Sequence, residues 1–454
     1  MDTSAVETIE WQTITPNEHG DWVNQRSEDF ATWPVIGEKK GNSTKFFTNF
    51  SAGLQTNRDA WVYSYSKAGL RSQIETLTNN YETVLREIVP EQNALEFLKA
   101  NPHFVDPKKS KWSSSLQNLL NQRQPLNDEG FVSVSLYRPF CRLNVFFDEH
   151  LNHRRYQLPS MFPTPEHENL GFEVSGASSP SGWSAIATTS LPDVQLLGNG
   201  QFFPRFTWTP VDADGGLFGE GDVATQSSET SQYGEIGEVF DGYVRVDNIT
   251  DEIKKIYRDT LGADITGDDI FHFVYGRLHD PSYRTTYAAD LKKMLPHIET
   301  PSSRAEFDKF AVAGSKLMAL HLNYEDMEPW PLDVQVKGDA SDRETWRVTK
   351  MRWAKRKDPE TGKSINDVTK LIYNPKVTIT GIPAEADEYM LGSRSALAWI
   401  IDRYQVKKDK ASGIVNDPND WADEVDNPRY IVDLIGRVTR VAMETNRIVK
   451  RLSS

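Results

Sequence analysis

The sequence predicts an α+β fold, with a β-rich core followed by a helical C-terminal part. Three observations predict it. Residues 125–210 carry short apolar stretches that alternate with period two between Gly, Ser and Pro turns. Beyond residue 250 the apolar spacing changes to three and four, and the segments open on capping residues. No strand–helix alternation of the βαβ kind runs along the chain, and no Rossmann-type methyltransferase domain is expected in it. The 454 residues leave room for two or three domains at roughly 150 residues each. Twelve Trp, 16 Tyr and 21 Phe supply enough core-forming surface to keep most of the length folded.

The first 45 residues are irregular, with Pro16, Gly20, Pro34, Gly37 and Gly41 set between short polar runs, so this segment lies across something larger. Leu70, Ile74, Leu77, Tyr81, Leu85 and Ile88 advance by three or four and predict a helix over 70–88. From Phe131 to Tyr137, Val132, Val134 and Leu136 alternate with Ser133 and Ser135, a strand. Residues 145–147 and 172–174 are further strands. Thr250 can cap a helix carrying Ile253, Ile256, Tyr257 and Leu261. Thr266 and Asp269 resemble a capping box ahead of Ile270, Phe273, Val274 and Leu278. Asp280 followed by Pro281 restarts a helix, and Tyr283, Tyr287, Leu291 and Leu295 form one stripe on it. Helices follow over 304–321 and near 393–404, with a strand over 377–380 between them. Asn427 and Pro428 then open a long helix through Ile431, Leu434, Ile435, Val438, Val441, Thr445 and Ile448. The chain divides into residues 1–45, a main body over 46–330 (β-rich over 125–210, helical over 250–325), and 331–454 with a basic hairpin and helices.

Lys and Arg number 51 against 65 Asp and Glu, a net charge of −14 that argues against a coat protein with an overall basic field. The charge is uneven. Asp212, Asp214, Glu220, Asp222, Glu229, Glu235, Glu238 and Asp241 fall in one stretch without Lys or Arg, whereas Lys350, Arg352, Lys355, Arg356 and Lys357 concentrate positive charge in a few residues. No apolar run approaches the ~20 residues that span a bilayer, and residues 1–11 have neither a basic start nor an apolar core, so the cytoplasm is expected and no membrane partner.

The chemistry-bearing residues are sparse. A single cysteine, Cys141, rules out an internal disulfide and a multi-cysteine zinc site, and it sits in a strand as a buried thiol. His150 and His153 lack a third ligand at metal-binding spacing; His272, His279 and His321 lie on predicted helices as structural histidines. Residues 215–221 contain Phe-Gly-x-Gly, similar to an adenosylmethionine loop, but no buried strand precedes it and no helix follows. There is no Gly-rich loop ending in Gly-Lys-Ser/Thr and no Asn/Asp-Pro-Pro-Tyr tetrapeptide. Neither a catalytic centre nor a metal or cofactor site is expected in this chain.

Two segments suit nucleic acid. Arg138, Arg142, Arg154 and Arg155 occur among Tyr137, Phe140, Phe146, Phe147 and Tyr156; guanidinium groups bind phosphate or guanine edges, and aromatics stack or pack behind them. The alternative is an aromatic core with a solvated Arg rim. Lys350 to Lys357 leads into the turn-prone Asp358-Pro359-Glu360-Thr361-Gly362, a hairpin that could reach a phosphate backbone or simply be a solvated face.

These segments also carry a resemblance. Gly53-Leu54-Gln55-Thr56-Asn57-Arg58-Asp59-Ala60-Trp61-Val62-Tyr63 resembles the start of the target-recognition region of adenine amino-methyltransferases, and Tyr137-Arg138-Pro139-Phe140 is similar to a segment of their recognition parts. Four later stretches resemble, in order, the C-terminal specificity region of Type ISP restriction–modification enzymes: 196–201, Tyr275 to Arg284, Leu320 to Glu325, and Trp399 to Tyr404 with Ser412-Gly413-Ile414 and Asn416 to Asn419. The resemblance implies one part of an enzyme that joins nuclease, ATP-driven translocase, adenine methyltransferase and target recognition. This chain would be the last, its first 45 residues a linker from the methyltransferase. Double-stranded DNA and the methyltransferase and helicase–nuclease domains would be its partners, with S-adenosylmethionine, ATP and Mg2+ confined to those other domains. Asn57 and Arg58 would lie near an extruded base, and Arg138, Arg142, Arg154, Arg155, Lys350, Arg352, Lys355, Arg356 and Lys357 would contact DNA. The acidic 212–241 stretch would face away from DNA or pack against a translocase. A self-sufficient methyltransferase with degenerate motifs and an aromatic-rich carbohydrate-binding or assembly module remain the alternatives.

Overall fold

The computed structural model describes residues 13–23, 25–126, 130–177, 179, 182–211 and 230–453. Phe131–Arg138 and Cys141–Phe147 form an antiparallel hairpin whose tip carries Phe140 in left-handed geometry (φ +56°). Tyr63–Ser64 extends the hairpin on one side and Leu191–Pro192 on the other. A second antiparallel sheet orders Ser51–Ala52, Gln201–Pro204, Gly171–Val174 and Ala185–Thr188, and a third orders Val239–Phe240, Tyr243–Asp247 and Phe206–Pro210. The fourth lies in the C-terminal part: Asp333–Val336, Val377–Thr380, Ser364–Ile372 and, at its edge, Arg352–Lys357. The mixed, non-alternating α+β architecture is the one the sequence predicts.

The predicted helices form close to their expected bounds. Lys67–Glu87, Asp251–Leu261 and Gly267–Arg277 each start at a hydroxyl cap: Ser66, Thr250 and Thr266 accept from Gly69, Ile253 and Asp269 amides. The Thr266–Asp269 box closes in both directions. Three details differ. The Tyr283 stripe is broken: the helix ends at Thr286, Tyr287 leaves helical geometry (φ −101°, ψ 23°), one turn follows over Ala288–Leu291, and Leu295 lies outside. His279 follows the Gly267–Arg277 helix rather than lying on it. The last helix runs Tyr430–Leu452, starting two residues after Pro428, because Asn427 turns back to accept the Arg429 amide at 3.0 Å.

Two apolar cores result. One gathers Phe30 and Ile36 of the irregular segment and Phe47 just after it with Phe172 and Phe203 of the second sheet and Phe271, Tyr275, Phe307 and Leu317 of the helices. Backbone bonds from Ile36 to Pro296 and from Ile298 to Pro34, both 2.9 Å, lay the irregular segment across that helical body. The Gly267–Arg277 and Arg304–Leu322 helices cross at Gly276 and Gly314, where an added Cβ would come within 2.1 Å of Phe310 O and 1.8 Å of His272 O. The other core joins Trp61, Leu77, Phe140 and Leu143 to Tyr404, Ile431 and Leu434, so the C-terminal elements pack directly on the first hairpin.

Candidate nucleic-acid interface

The run from Gly53 to Trp61 is held from below and exposed at its tip. Gly53 lies against the Asp193–Val194 backbone, where a Cβ would meet Asp193 C at 2.5 Å, so only glycine allows the approach. Leu54 then bonds Pro192 O at 2.7 Å and Val194 N at 3.0 Å. Thr56 Oγ1 donates to the Asp59 carboxylate, which also accepts from Tyr137 Oη at 2.9 Å. Between them Asn57 is exposed with φ +57°, a conformation Asn tolerates better than most side chains. Gln55 and Arg154 exchange backbone bonds at 3.1 and 2.9 Å, and Gln55 holds Tyr156 Oη and Asn57 Oδ1 at 3.1 and 3.3 Å. Asn57, Arg154 and Tyr156, with the half-buried Gln55 to which the sequence assigned no role, therefore share one polar surface. Gln55 stood inside the Gly53–Tyr63 motif, but its pairing with a residue a hundred positions away gave no local signal.

Arg58 goes the other way. It is fully buried, donates to Ser113 Oγ, and leaves Nε and one terminal nitrogen without a partner among the described residues. Burial lowers its pKa to about 10, against which the Asp148 charge works.

The remaining arginines divide. Arg138 stacks on Tyr137 (4.1 Å) and pairs with Asp193 at 2.7 Å. Burial pushes the Asp193 carboxyl up to about 6 even though Arg138 opposes the shift. Arg142 lies over Tyr324 (5.1 Å) and pairs with Glu325 at 2.9 Å; Tyr324, then Glu325, hold its charge on. Arg155 reaches Glu149 at 3.5 Å and covers Phe147. Arg154 is exposed and pairs with no carboxylate among the described residues.

The predicted basic hairpin forms. Arg352–Lys357 pairs with Ser364–Ile372, with a register shift after Trp353, whose indole is buried against the core. Lys350, Arg352, Lys355, Arg356 and Lys357 are exposed; Lys355 bonds Asn366 Oδ1 at 2.7 Å, and none of the five pairs with a carboxylate among the described residues. Lysine on an open sheet edge also blocks edge-to-edge pairing, so exposure alone does not assign a partner.

Burial raises the Cys141 thiol to about 11, which keeps it protonated and unreactive at neutral pH. His150 and His153 join no group able to hold a metal among the described residues, and no helix there is long and apolar enough to cross a membrane. The 215–221 loop and most of the acidic stretch fall outside the described residues; of the acids that are described, Glu238 pairs with Arg245.

The family model of the Type ISP C-terminal specificity domain matches residues 45–434. The chain belongs to that family. Among solved structures, this specificity domain is similar to the ATP-dependent Type ISP restriction–modification enzyme LlaBIII bound to DNA, at 28% identity and a TM-score of 0.78, over 98% of this chain and 25% of that one. It is similar to a nuclease-deletion mutant of the Type ISP enzyme LlaGI in complex with a DNA substrate mimic, at 30% identity and 0.75, over 98% and 31%. The DrdV–DNA complex matches at 28% and 0.75, over 98% and 40%. No curated protein matches the chain. The specificity domain thus spans between 25% and 40% of the length of the solved chains it resembles.

The other family-like runs of the specificity domain are packing posts. Residues 196–201 turn around the buried Glu173, which accepts the Leu197 amide at 3.0 Å. In Leu320 to Glu325, His321 is bonded to Tyr275, Thr445 and Tyr389, while Glu325 joins Arg142 to Tyr430. Asn419 exchanges bonds with both backbone groups of Val348 at 2.8 Å.

Proposed function

We propose that this chain recognises duplex DNA as the specificity part of a cytoplasmic restriction–modification enzyme, directing adenine methylation and ATP-dependent cleavage carried by other domains. The observation that carries the reading is the match along 98% of the chain to Type ISP enzymes solved with DNA. In this reading the exposed surface of Asn57 and Arg154, with Gln55 and Tyr156, lies nearest the bases. Lys350, Arg352, Lys355, Arg356 and Lys357 contact phosphates, and Arg155, next to Arg154, adds a further DNA contact. Arg58, Arg138 and Arg142 act from behind, fixing the segments that carry the contacts. S-adenosylmethionine, ATP and Mg2+ belong to the methyltransferase and helicase–nuclease domains, which are the chain's protein partners.

The test is a salt-titrated binding measurement on random duplex DNA with wild type and a Lys355→Ala/Arg356→Ala/Lys357→Ala variant. Affinity that falls steeply with salt, with a shallower slope in the variant, supports the reading. Absence of binding by the chain, both alone and with a methyltransferase domain added, overturns it.

A further inference from the structure

Two basic segments without an assigned role face each other across a cleft of about 720 Å3. One wall is the loop from Val105 to Trp112, which exposes Lys108, Lys109 and Lys111. The facing wall is a small hairpin, Lys407–Lys408 paired with Val415–Asn416, which exposes Lys408 and Lys410 and puts Asp409 and Ser412 into the cleft. The third wall is the Asn57 turn itself.

The hairpin is anchored at both ends. Val406 N donates to Thr349 O at 3.0 Å, immediately before Lys350, and Asn416 Oδ1 accepts from Tyr65 N at 3.0 Å, just past the Asn57 run. It therefore bridges two surfaces that are nearly three hundred residues apart in sequence.

Its turn also repeats the turn of the Arg352–Lys357 hairpin. Asp358 Oδ1 accepts the Glu360 and Thr361 amides at 2.9 and 2.7 Å; Asp409 Oδ1 accepts those of Ala411 and Ser412 at 3.1 and 2.7 Å. Gly362 N and Gly413 N return to the Asp358 and Asp409 carbonyls, both at 2.9 Å, and the two glycines sit at φ +66° and +76°. Asp358 N and Asp409 N close on Lys363 O and Ile414 O, both at 2.8 Å. In sequence, Lys357-Asp358-Pro359-Glu360-Thr361-Gly362 and Lys408-Asp409-Lys410-Ala411-Ser412-Gly413 share Lys-Asp-x-x-Ser/Thr-Gly. The same stiff, self-satisfied turn presents cations at two hairpin tips.

The cleft lining itself carries both signs, Lys111 with Asp59 and Asp409, and the other lysines are exposed on the two segments that wall it. None of Lys108, Lys109, Lys111, Lys408 and Lys410 pairs with a carboxylate among the described residues. The carboxylates are held by local bonds and keep their charge: Asp59 by Thr56 and Tyr137, Asp106 by the Lys108 amide, and Asp409 by its own turn, with the Lys111 charge helping to lower the Asp409 pKa. Ammonium groups on flexible stems at loop tips suit phosphate as point charges and do not supply the planar fork that reads a base edge.

We propose that the rim of this cleft is a second phosphate-binding surface, where the exposed Lys108, Lys109, Lys111, Lys408 and Lys410 grip the sugar–phosphate backbone of the DNA strand beside the Asn57 turn. The proposal rests on the DNA-recognition reading above. It makes the Lys407–Asn416 hairpin the link that continues the phosphate track from the Lys350–Lys357 edge.

The experiment compares the full chain with Lys408→Ala/Lys410→Ala and Lys108→Ala/Lys109→Ala/Lys111→Ala variants on random duplex DNA and on the duplex that the wild type selects. The expected result is a slope of log affinity against log salt shallower by about 0.9 for each phosphate that the variant no longer neutralises. The loss of affinity should be the same on both duplexes, and the Lys408→Arg/Lys410→Arg variant should keep the wild-type slope. An unchanged urea midpoint confirms that these exposed substitutions leave the fold intact. Wild-type slopes in both alanine variants overturn the cleft site and leave the DNA reading standing. A loss confined to the selected duplex overturns the phosphate assignment in favour of base contact. Failure of the wild type to bind, with or without a methyltransferase domain, removes the DNA reading and this site together.

Discussion

Arg138 and Asp193 meet at 2.7 Å directly beneath the Asn57 turn, and the backbone on either side of Asp193 bonds Leu54. One carboxylate thus neutralises a buried guanidinium and sits within the segment on which the exposed turn rests. Tyr63 Oη gives it a further bond at 3.0 Å.

Removing Asp193 should leave Arg138 buried without its counter-charge. Asp193→Ala is expected to cost about 3–5 kcal/mol, and the Arg138→Ala/Asp193→Ala double variant to recover part of that loss. A double-mutant cycle from urea unfolding checks this; strictly additive single losses would contradict it.

At Gly276 the two central helices touch through backbone. Gly276→Ala brings a methyl group within 2.1 Å of Phe310 O and cannot be absorbed by a side-chain rotation. A loss of at least about 1–3 kcal/mol is expected, read as a lower urea midpoint with the slope unchanged.

His321 sets a pH dependence. Burial, with the Arg284 charge adding to it, lowers its pKa from 6.5 to about 3, so the imidazole is neutral in the fold. The unfolded chain binds a proton below pH 6.5 that the folded chain refuses, so this stability is present above that value and is lost as pH falls towards 3. Its contribution should fall by about 1.4 kcal/mol per pH unit in that window. The gap between wild type and His321→Gln should accordingly narrow on acidification; a pH-independent gap would show that the histidine does not titrate this way.

Asn57 separates backbone from side-chain effects. Asn57→Gly keeps the left-handed turn and removes the amide, so stability should stay within about 0.5 kcal/mol while any preference among DNA sequences weakens. Asn57→Val should instead cost about 1–2 kcal/mol through the φ of +57°. Melting curves, paired with binding to selected and random duplexes, distinguish the two.

Much of this was legible in the sequence. Period-two alternation at 131–137, hydroxyl caps at Thr250 and Thr266, and three-and-four spacing over 304–321 each specify their element within a few residues, because their causes are local. The exposed hairpin of Lys350 to Lys357 was also readable, since a cation run ending in a turn needs no distant partner.

Which way each arginine faces was not readable in this way. Arg58 lies beside exposed Asn57 in the chain yet is buried, and Arg138 and Arg142 are tied to Asp193 and Glu325, whose positions no spacing rule predicts. Packing likewise brings the Val105 to Trp112 loop and the Asp409 to Ser412 turn to one cleft with Asn57. Short-range patterns were enough for the elements, the caps and the family resemblance. Burial, ion pairing and the meeting of remote basic segments depend on how the elements pack, because a charge's environment is set by neighbours in space rather than in sequence.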